Sequence, residues 1–423
     1  MNSAKNGISR VGRKLLRPLW RLLPQQMRHR FWQAAGQPAL DAYRRRMLIS
    51  PTNMLPANLD APLVVAGLFQ TGNGLGEGAR STWRALKAAG FDPIAVDLSS
   101  SFGIADMESD IPLMPMPASQ EGTLIIQLNS PELPAALTAL DLKKGRKWYV
   151  IAFWAWELPQ FPKGWEKNLD LVSEVWTPSS FTTAALKQYA NMPAVETVGH
   201  VVVPPDGVRP DRAGFGIAEN AHVYLVMADS FSSFDRKNPF GAISAFKQAF
   251  DVDPSRQLIV KTRNIDRYPA AKADLISAIG AAPNIRLIDE TLSTARRWQL
   301  MASVDALISL HRSEGFGLTI GEMMALGKPV IVTGWSGNMD FCTPETAYIA
   351  KYDLVPCRDR YGVYRDREAV WAEPDTNHAA QLLVQADADI SVGPVHFIAD
   401  ESVMNAGLLG NRMARILEKR VPV

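Results

Sequence analysis

Cysteine is nearly absent from this chain, with only Cys342 and Cys357 among 423 residues. Two are too few for a disulfide framework, and no Cys-x-x-Cys or Cys/His cluster has zinc-ligand spacing. Long apolar runs are missing too. No window reaches the roughly 18 consecutive apolar residues of a spanning helix. No basic start, apolar core and small-residue cleavage site mark a signal peptide. A reduced, cytoplasmic setting is expected. Acid is missing from one end only: residues 1–46 carry eleven Lys or Arg against the single acid Asp41, leaving 34 basic and 42 acidic residues, about −8, for the remainder. The formal net charge of +2 therefore hides an asymmetry between one end and the rest.

What is present is ordinary for a globular protein, 47% apolar and 21% charged, and long enough for two cores. The basic leader, residues 1–50, interleaves Leu15, Leu16, Leu19, Trp20, Leu22 and Leu23 with Arg13, Lys14, Arg17 and Arg21. Pro18 and Pro24 break any long helix there. Such a segment suits the surface of an anionic membrane, or packing on the acidic remainder of the chain.

After a linker at 51–61, apolar runs predict strands at Leu63 to Leu68, Pro93 to Asp97, Leu124 to Leu128, Trp148 to Phe153 and Glu174 to Thr177. The glycine run Gly72-Asn73-Gly74-Leu75-Gly76-Glu77-Gly78 follows the first strand, with a helix expected over Ala79 to Ala89. This run resembles a dinucleotide fingerprint, with Asp97 about 20 residues on; a tight turn without a ligand produces the same spacing. Phe153-Trp154-Ala155-Trp156-Glu157 places an acid between aromatics at a strand's carboxyl end, suiting Glu157 to face a sugar or move a proton, or to pair within an aromatic core.

PPDGVRPDRAGFG, 204–216, has linker composition. Beyond it, strands are predicted at Val223 to Met227, Leu258 to Lys261, Ile285 to Ile288, Ala306 to Leu310, Val330 to Val332 and Ala347 to Ala350, with helical runs between. The expected fold is α/β, two Rossmann-like doubly wound domains. The expected boundaries are 60–205 and 214–395, with 396–423 a closing helix that returns toward the first domain. Asp235-Arg236-Lys237 and Lys261-Thr262-Arg263 fall at strand carboxyl ends, where Arg236, Lys237 and Lys261 can neutralise a diphosphate. Asp251-Val252-Asp253 has the spacing of a metal-diphosphate motif, but a surface turn is expected there.

The most informative stretch is HRSEGFGLTIGEMMALGKPVIV, His311 to Val332. Gly315 and Gly317 flank Phe316 and allow close backbone approach. Thr319 to Leu326 is a compact helical run stopped by Gly327 and Pro329. A loop that opens a helix presents free N–H groups to an anion. Glu314 and Glu322 frame it as hydrogen-bond acceptors for paired hydroxyls, unless they only complement the helix dipole.

Glu314-Gly315-Phe316-Gly317 with Glu322-Met323-Met324-Ala325-Leu326-Gly327-Lys328-Pro329 resembles the donor-site signature of retaining glycosyltransferases of family 4, which have the GT-B fold. The likeness covers residues 60–420 and is sharpest in the second half. It implies that Glu314 binds the donor sugar and Glu322 the ribose. It also implies that Gly74 and Gly76 face donor phosphates, as the signature glycines and Phe316 do. Family members place an Arg and a Lys six residues apart after the first strand of the second domain. Lys237 matches the Lys, but Phe231 stands in the Arg position. The His that often follows a strand of the first domain is replaced by Trp156 and Glu157.

The resulting expectation is a retaining hexosyltransferase that uses a UDP- or GDP-sugar without a metal or other cofactor. Its partners would be a glycan or lipid-linked acceptor and an anionic membrane surface met through residues 1–46, with no nucleic acid. Its setting would be bacterial-type surface polysaccharide synthesis on the inner membrane face. The alternatives are an NAD-dependent oxidoreductase, favoured by the glycines at 72–78, and a membrane-associated nucleotide-sugar-binding protein with a degenerate site.

Overall fold

A computed structural model describes residues 46–48, 60–361, 364, 368–393 and 401–420. Apart from 46–48 and 60–61, the leader and the linker after it lie outside the described residues, as do 394–400 and 421–423, on which most of the start and the end of the expected closing segment fall. Among the described residues no helix is long and apolar enough to cross a membrane.

The first sheet contains β1 (Leu63–Gly67), β2 (Ile94–Asp97), β3 (Glu121–Ile126), β4 (Lys147–Phe153), β5 (Glu174–Thr177) and β6 (Ala194–Thr197), in the order β2-β1-β3-β4-β5-β6. All pairings are parallel. Continuous apolar strands suit this sheet because both faces are covered. The two-residue period of β1 sends Val64 and Ala66 into one core and Leu63 and Val65 into another. Helix α1 (Gly74–Ala88) follows β1, and α2 (Ser180–Leu186) follows β5. Helix α1 begins inside the glycine run, five residues earlier than its sequence predicts. The Asn73 side chain accepts the Gly76 N–H at 3.0 Å and caps it there.

The second sheet contains β7 (His222–Asp229), β8 (Arg256–Arg263), β9 (Ile285–Asp289), β10 (Ala306–Ser309), β11 (Val330–Thr333) and β12 (Tyr348–Ala350), in the order β12-β11-β10-β7-β8-β9, also parallel. Its helices include α3 (Pro239–Phe250), α4 (Thr294–Ser303), α5 (Leu318–Ala325) and α6 (Thr376–Val392). These are the two doubly wound parallel-sheet domains expected. Strand β6 and an antiparallel hairpin, β13 (Tyr352–Pro356) with β14 (Val370–Pro374), are additional elements. Asp251 and Asp253 form a surface turn, where Asp253 accepts the Ser255 N–H at 2.8 Å.

Strand order reverses between β7 and β10, so the loops after those two strands flank an open crevice at their carboxyl ends. The last helix, α7 (Ala406–Glu418), lies on α1 of the first domain. Its Leu409, Met413, Ile416 and Leu417 join the core that contains Ala85 and Leu86. Beyond it, Arg420 pairs with Glu174 at 2.8 Å and Glu196 at 3.0 Å.

The approach of α7 to α1 depends on Gly410, where a Cβ would run into the Ala85 carbonyl. Gly410→Ala should destabilise the chain by roughly 1–3 kcal/mol despite alanine's better helix propensity. Thermal unfolding checks this; an unchanged or raised midpoint would refute the close packing.

Candidate active site

The site is assembled from the two loops at the strand reversal. After β7 the chain makes a short helical turn, Phe234–Lys237, capped by the Ser233 side chain, which accepts the Arg236 N–H at 3.2 Å. Asn238 follows in a left-handed conformation, φ 49°, and donates to the Leu310 carbonyl at 2.9 Å. That bond ties the β7 loop to the end of β10. Arg236 is 2% exposed, and its guanidinium donates to the carbonyls of Ser313 (2.7 Å) and Ser232 (3.1 Å).

Both cations of this turn converge on Glu314. Arg236 Nη1 is 3.0 Å from one carboxylate oxygen and Lys237 Nζ 2.5 Å from the other. Glu314 is 7% exposed, so burial alone would raise its pKa, but Lys237, Arg236 and then His311 outweigh that and hold it at about 2. Arg236 is shifted up: burial opposes its charge, but Tyr364, Glu314 and Glu157 favour it. The backbone of Glu314 is fixed from behind, its N–H donating to Ser336 Oγ at 2.7 Å and its carbonyl accepting the Gly337 N–H at 2.9 Å. Gly337 lies so close that a Cβ would strike the Gly315 carbonyl. The turn at 334–338 thus acts as a brace for the signature loop.

The first domain reaches the same point. A Cβ on Gly315 would sit 3.1 Å from the Trp156 carbonyl, so the two backbones meet across the cleft. Ser313 Oγ donates to the Glu157 carbonyl, and Thr182 Oγ1 donates to that of Trp156 at 2.8 Å. The Glu157 carboxylate accepts the Tyr364 hydroxyl at 2.9 Å and lies 3.9 Å from Arg236. Glu157 and Glu314 therefore flank one guanidinium. Tyr364, from the β13–β14 connection, also packs edge-on against Trp156 at 5.8 Å. Sequence spacing carries no signal for Tyr364, because its approach depends on the hairpin.

Other expected ligand residues are placed differently. Phe316 does not face the cavity: its ring is buried between His200 (5.2 Å) and Phe341 (5.0 Å), where apolar burial outweighs exposure to a polar ligand. Lys261 is not brought to Glu314; its amine donates to the carbonyls of Thr262 and Glu290, both at 2.5 Å, and burial lowers its pKa to about 8 against the pull of Asp289 and Glu290. Gly76 answers a packing demand, since a Cβ would lie 2.5 Å from the Thr71 carbonyl and 2.6 Å from that of Leu68. Gly74 does face the cleft, its Cβ position lying 3.6 Å from Leu318 at the start of α5. Gly317 takes φ 98° as the N-cap of α5.

Glu322 is the fifth residue of α5, one residue further in than in the expected run from Thr319, and is 3% exposed. Arg297 of α4 pairs with it at 2.5 Å. Burial raises the pKa of Glu322, with Arg297 working against the shift. Across the cleft Glu77 and Arg80 of α1 pair at 2.8 Å, and Arg80 also donates to the carbonyls of Phe69 (2.8 Å) and Thr71 (3.0 Å), supporting the glycine loop. Arg263, at the end of β8, pairs with Asp229 at 2.9 Å and reaches within 3.2 Å of the Cβ position of Gly72. Asp97 accepts from Ser99 Oγ at 2.7 Å and from the Gln70 N–H at 3.2 Å, tying down its own loop where a dinucleotide site needs a free ribose acceptor. Lys237, Glu314, Gly317, Thr319 and Ile320 line a cavity of about 10 Å³, room for roughly one water. Any ligand larger than a water must therefore displace the Lys237–Glu314 contact or widen the cleft.

Residues 215–351, about a third of the chain, match the family model of glycosyl transferases group 1. That span contains Arg236, Lys237, Glu314 and Glu322. The fold is similar to a glycosyltransferase from Rickettsia africae (13% identity, TM-score 0.59, 85% of this chain and 98% of the other). It is likewise similar to Anabaena HepE in complex with UDP and glucose (12%, 0.59, 85% and 100%) and to sucrose-phosphate synthase of Thermosynechococcus elongatus (13%, 0.58, 85% and 98%). No curated protein matches the chain. The two facing α/β domains are the GT-B architecture.

Two buried histidines set a pH dependence around the site. His200 stacks on Phe153 at 5.0 Å and His311 lies behind Glu314; burial pushes each down to about 4, against Glu77 for His200 and Glu314 for His311. An unfolded histidine takes a proton near its ordinary value of 6.5, so the unfolded state gains protons first. Stability is then full above about pH 6.5 and falls toward pH 4 by about 1.4 kcal/mol per pH unit for each histidine. Glu314, held near 2, extends the loss below pH 4.5. His200→Phe, which keeps a ring on Phe153, should flatten the upper part of this profile. Melting temperature against pH is the check, and equal slopes in both proteins would refute the His200 contribution.

Proposed function

We propose that the chain is a retaining glycosyltransferase that moves a sugar from a UDP- or GDP-sugar to a glycan or lipid-linked acceptor, working without a metal. The setting is bacterial-type surface polysaccharide synthesis, at the inner face of a membrane met through residues 1–46. The observation that carries this reading is the ionised Glu314 held by Arg236 and Lys237 at the sheet reversal, inside the matched family region. A carboxylate there accepts sugar hydroxyls, and the adjacent cations offset the charge that gathers on a diphosphate as the glycosidic bond breaks.

In this mechanism the donor lies against the β7 and β10 loops, with its diphosphate toward Lys237 and the start of α5. Glu314 orients the sugar. The acceptor enters from the first domain, and Glu157, fixed by Tyr364 and facing Arg236, orients its hydroxyl. Front-face attack assisted by the leaving phosphate needs no enzymic nucleophile. Glu322 serves the ribose once Arg297 shares it. Arg236 supports an active site over a degenerate one, because its guanidinium supplies a cation beside Glu314 despite Phe231 in the expected Arg position. The engaged Asp97 disfavours the NAD-dependent alternative.

Calorimetry with UDP, GDP and NAD, followed by a screen of nucleotide sugars, tests the assignment; NAD binding alone, or no nucleotide binding, would overturn it. Glu314→Gln should abolish transfer while the chain still folds. Glu314→Ala should in addition cost about 3–5 kcal/mol of stability, because it strands the buried Arg236 charge. Transfer by the Gln variant at the wild-type rate would remove Glu314 from the site. Retention is checked separately: NMR of the first-formed product should show the donor's anomeric configuration, and inversion would refute this part of the mechanism.

A further inference from the structure

A dense group of cations lies outside the cleft, at the opposite ends of the first sheet's strands. The connection into β4 reads Asp141-Leu142-Lys143-Lys144-Gly145-Arg146-Lys147. Lys143, Lys144 and Lys147 are exposed and Arg146 is half-buried. Asp141 (φ 54°) and Gly145 (φ 99°) turn the backbone sharply, which leaves Lys143, Lys144 and Lys147 exposed while Leu142 stays in the core. Two acids lie nearby: Asp141 pairs with Lys143 at 2.5 Å, and Glu121 is the register partner of Lys147.

The chain from the leader arrives at this loop. Leu48, 2% exposed, bridges Lys143 in antiparallel register, and the Lys144 N–H donates to the Met47 carbonyl at 3.1 Å. Arg46 is exposed beside it, and Met47 is 50% exposed. The most basic stretch of the sequence therefore enters the fold next to four further cations. Five cations against two acids leave a positive field where 1–45, itself strongly cationic, ends. An acidic partner for the leader within the protein would require the opposite sign here. An anionic surface is attracted to this pole and to the cationic sequence before it at once.

We propose that Arg46, Lys143, Lys144, Arg146 and Lys147 form, with exposed Met47, a docking face for an anionic bilayer continuous with the leader. This rests on the membrane-facing reading of residues 1–46 given above. The lysines act as point charges over the headgroups, and Met47 supplies an apolar contact at the interface.

Flotation of the full chain with vesicles of phosphatidylcholine alone, and with phosphatidylserine added, tests it. Lys143→Glu, Lys144→Glu and Lys147→Glu together should weaken partition onto the anionic vesicles by about tenfold or more, since each cation near the surface contributes. The control Lys272→Glu, Lys351→Glu and Lys419→Glu carries the same charge change elsewhere and should bind as the parent does. Circular dichroism melts establish that both variants fold. Parent-like binding by the first variant would overturn this face while leaving the leader as the sole anchor. Equal loss in both variants would reduce the effect to net charge and also overturn it. No binding of the parent to anionic vesicles would overturn the leader reading with it.

Discussion

The site depends on a carboxylate that is kept charged after losing its water. Taken alone, Glu314 would be driven toward its neutral form at 7% exposure. Two cations prevent this, and both come from the loop after β7, not from the helix that follows Glu314. Holding them in place requires the Asn238–Leu310 bond, the capped turn at Phe234–Lys237 and the strand reversal that makes β7 and β10 neighbours. The local signature and the global topology are thus one constraint. If β10 lay elsewhere in the sheet, Glu314 would be buried without a counterion, at a cost of several kcal/mol.

The same arrangement couples the domains. Arg236 lies between Glu314 of the second domain and Glu157 of the first, and the Gly315 backbone touches that of Trp156. The β13–β14 hairpin completes the contact, packing Trp371, Ala369 and Cys357 on Leu158 and bringing Tyr364 to Glu157. With so little space between Lys237, Glu314 and Ile320, any ligand larger than a water would have to change these contacts to enter. The Lys237–Glu314 contact and the placement of Glu157 are therefore linked through one shared guanidinium.

Most of the architecture is legible along the chain, because buried parallel strands are unbroken apolar runs: the predicted strands through Ala350 overlap observed ones. Two kinds of element escape. Strand β6, Ala-Val-Glu-Thr, is short and half polar because it lies at a sheet edge. The hairpin is exposed along β13, and a long connection separates its strands, so it has neither apolar runs nor a tight-turn signal. Within the site, Glu314, Lys237 and the signature loop are local in sequence and were readable. The partners of Glu322 and Glu157 are not: Arg297 and Tyr364 arrive from elements whose packing only the tertiary fold specifies. Phe316 misleads for a related reason, since a residue between two loop glycines suggests a ligand contact while its ring has a core to fill.

Strand β4 also relates the basic pole to the site. It runs from Lys147 in the cationic loop to Phe153 at the cleft rim, with Glu157 just beyond. Seven residues at the strand rise of about 3.3 Å span roughly 20 Å. In the proposed docking, with the strands along the bilayer normal, the carboxylates would stand at least that far above the headgroups. A sugar attached directly to a lipid phosphate would not reach them. A glycan several residues long would, because its growing end stands clear of the membrane. The proposed docking through Lys143–Lys147 and the proposed transfer at Glu314 would be compatible only for an acceptor of that length, whereas an anchor formed by the leader alone would impose no such limit. In the proposed docking, the orientation of the sheet on the membrane would select the acceptor without any contact between the two.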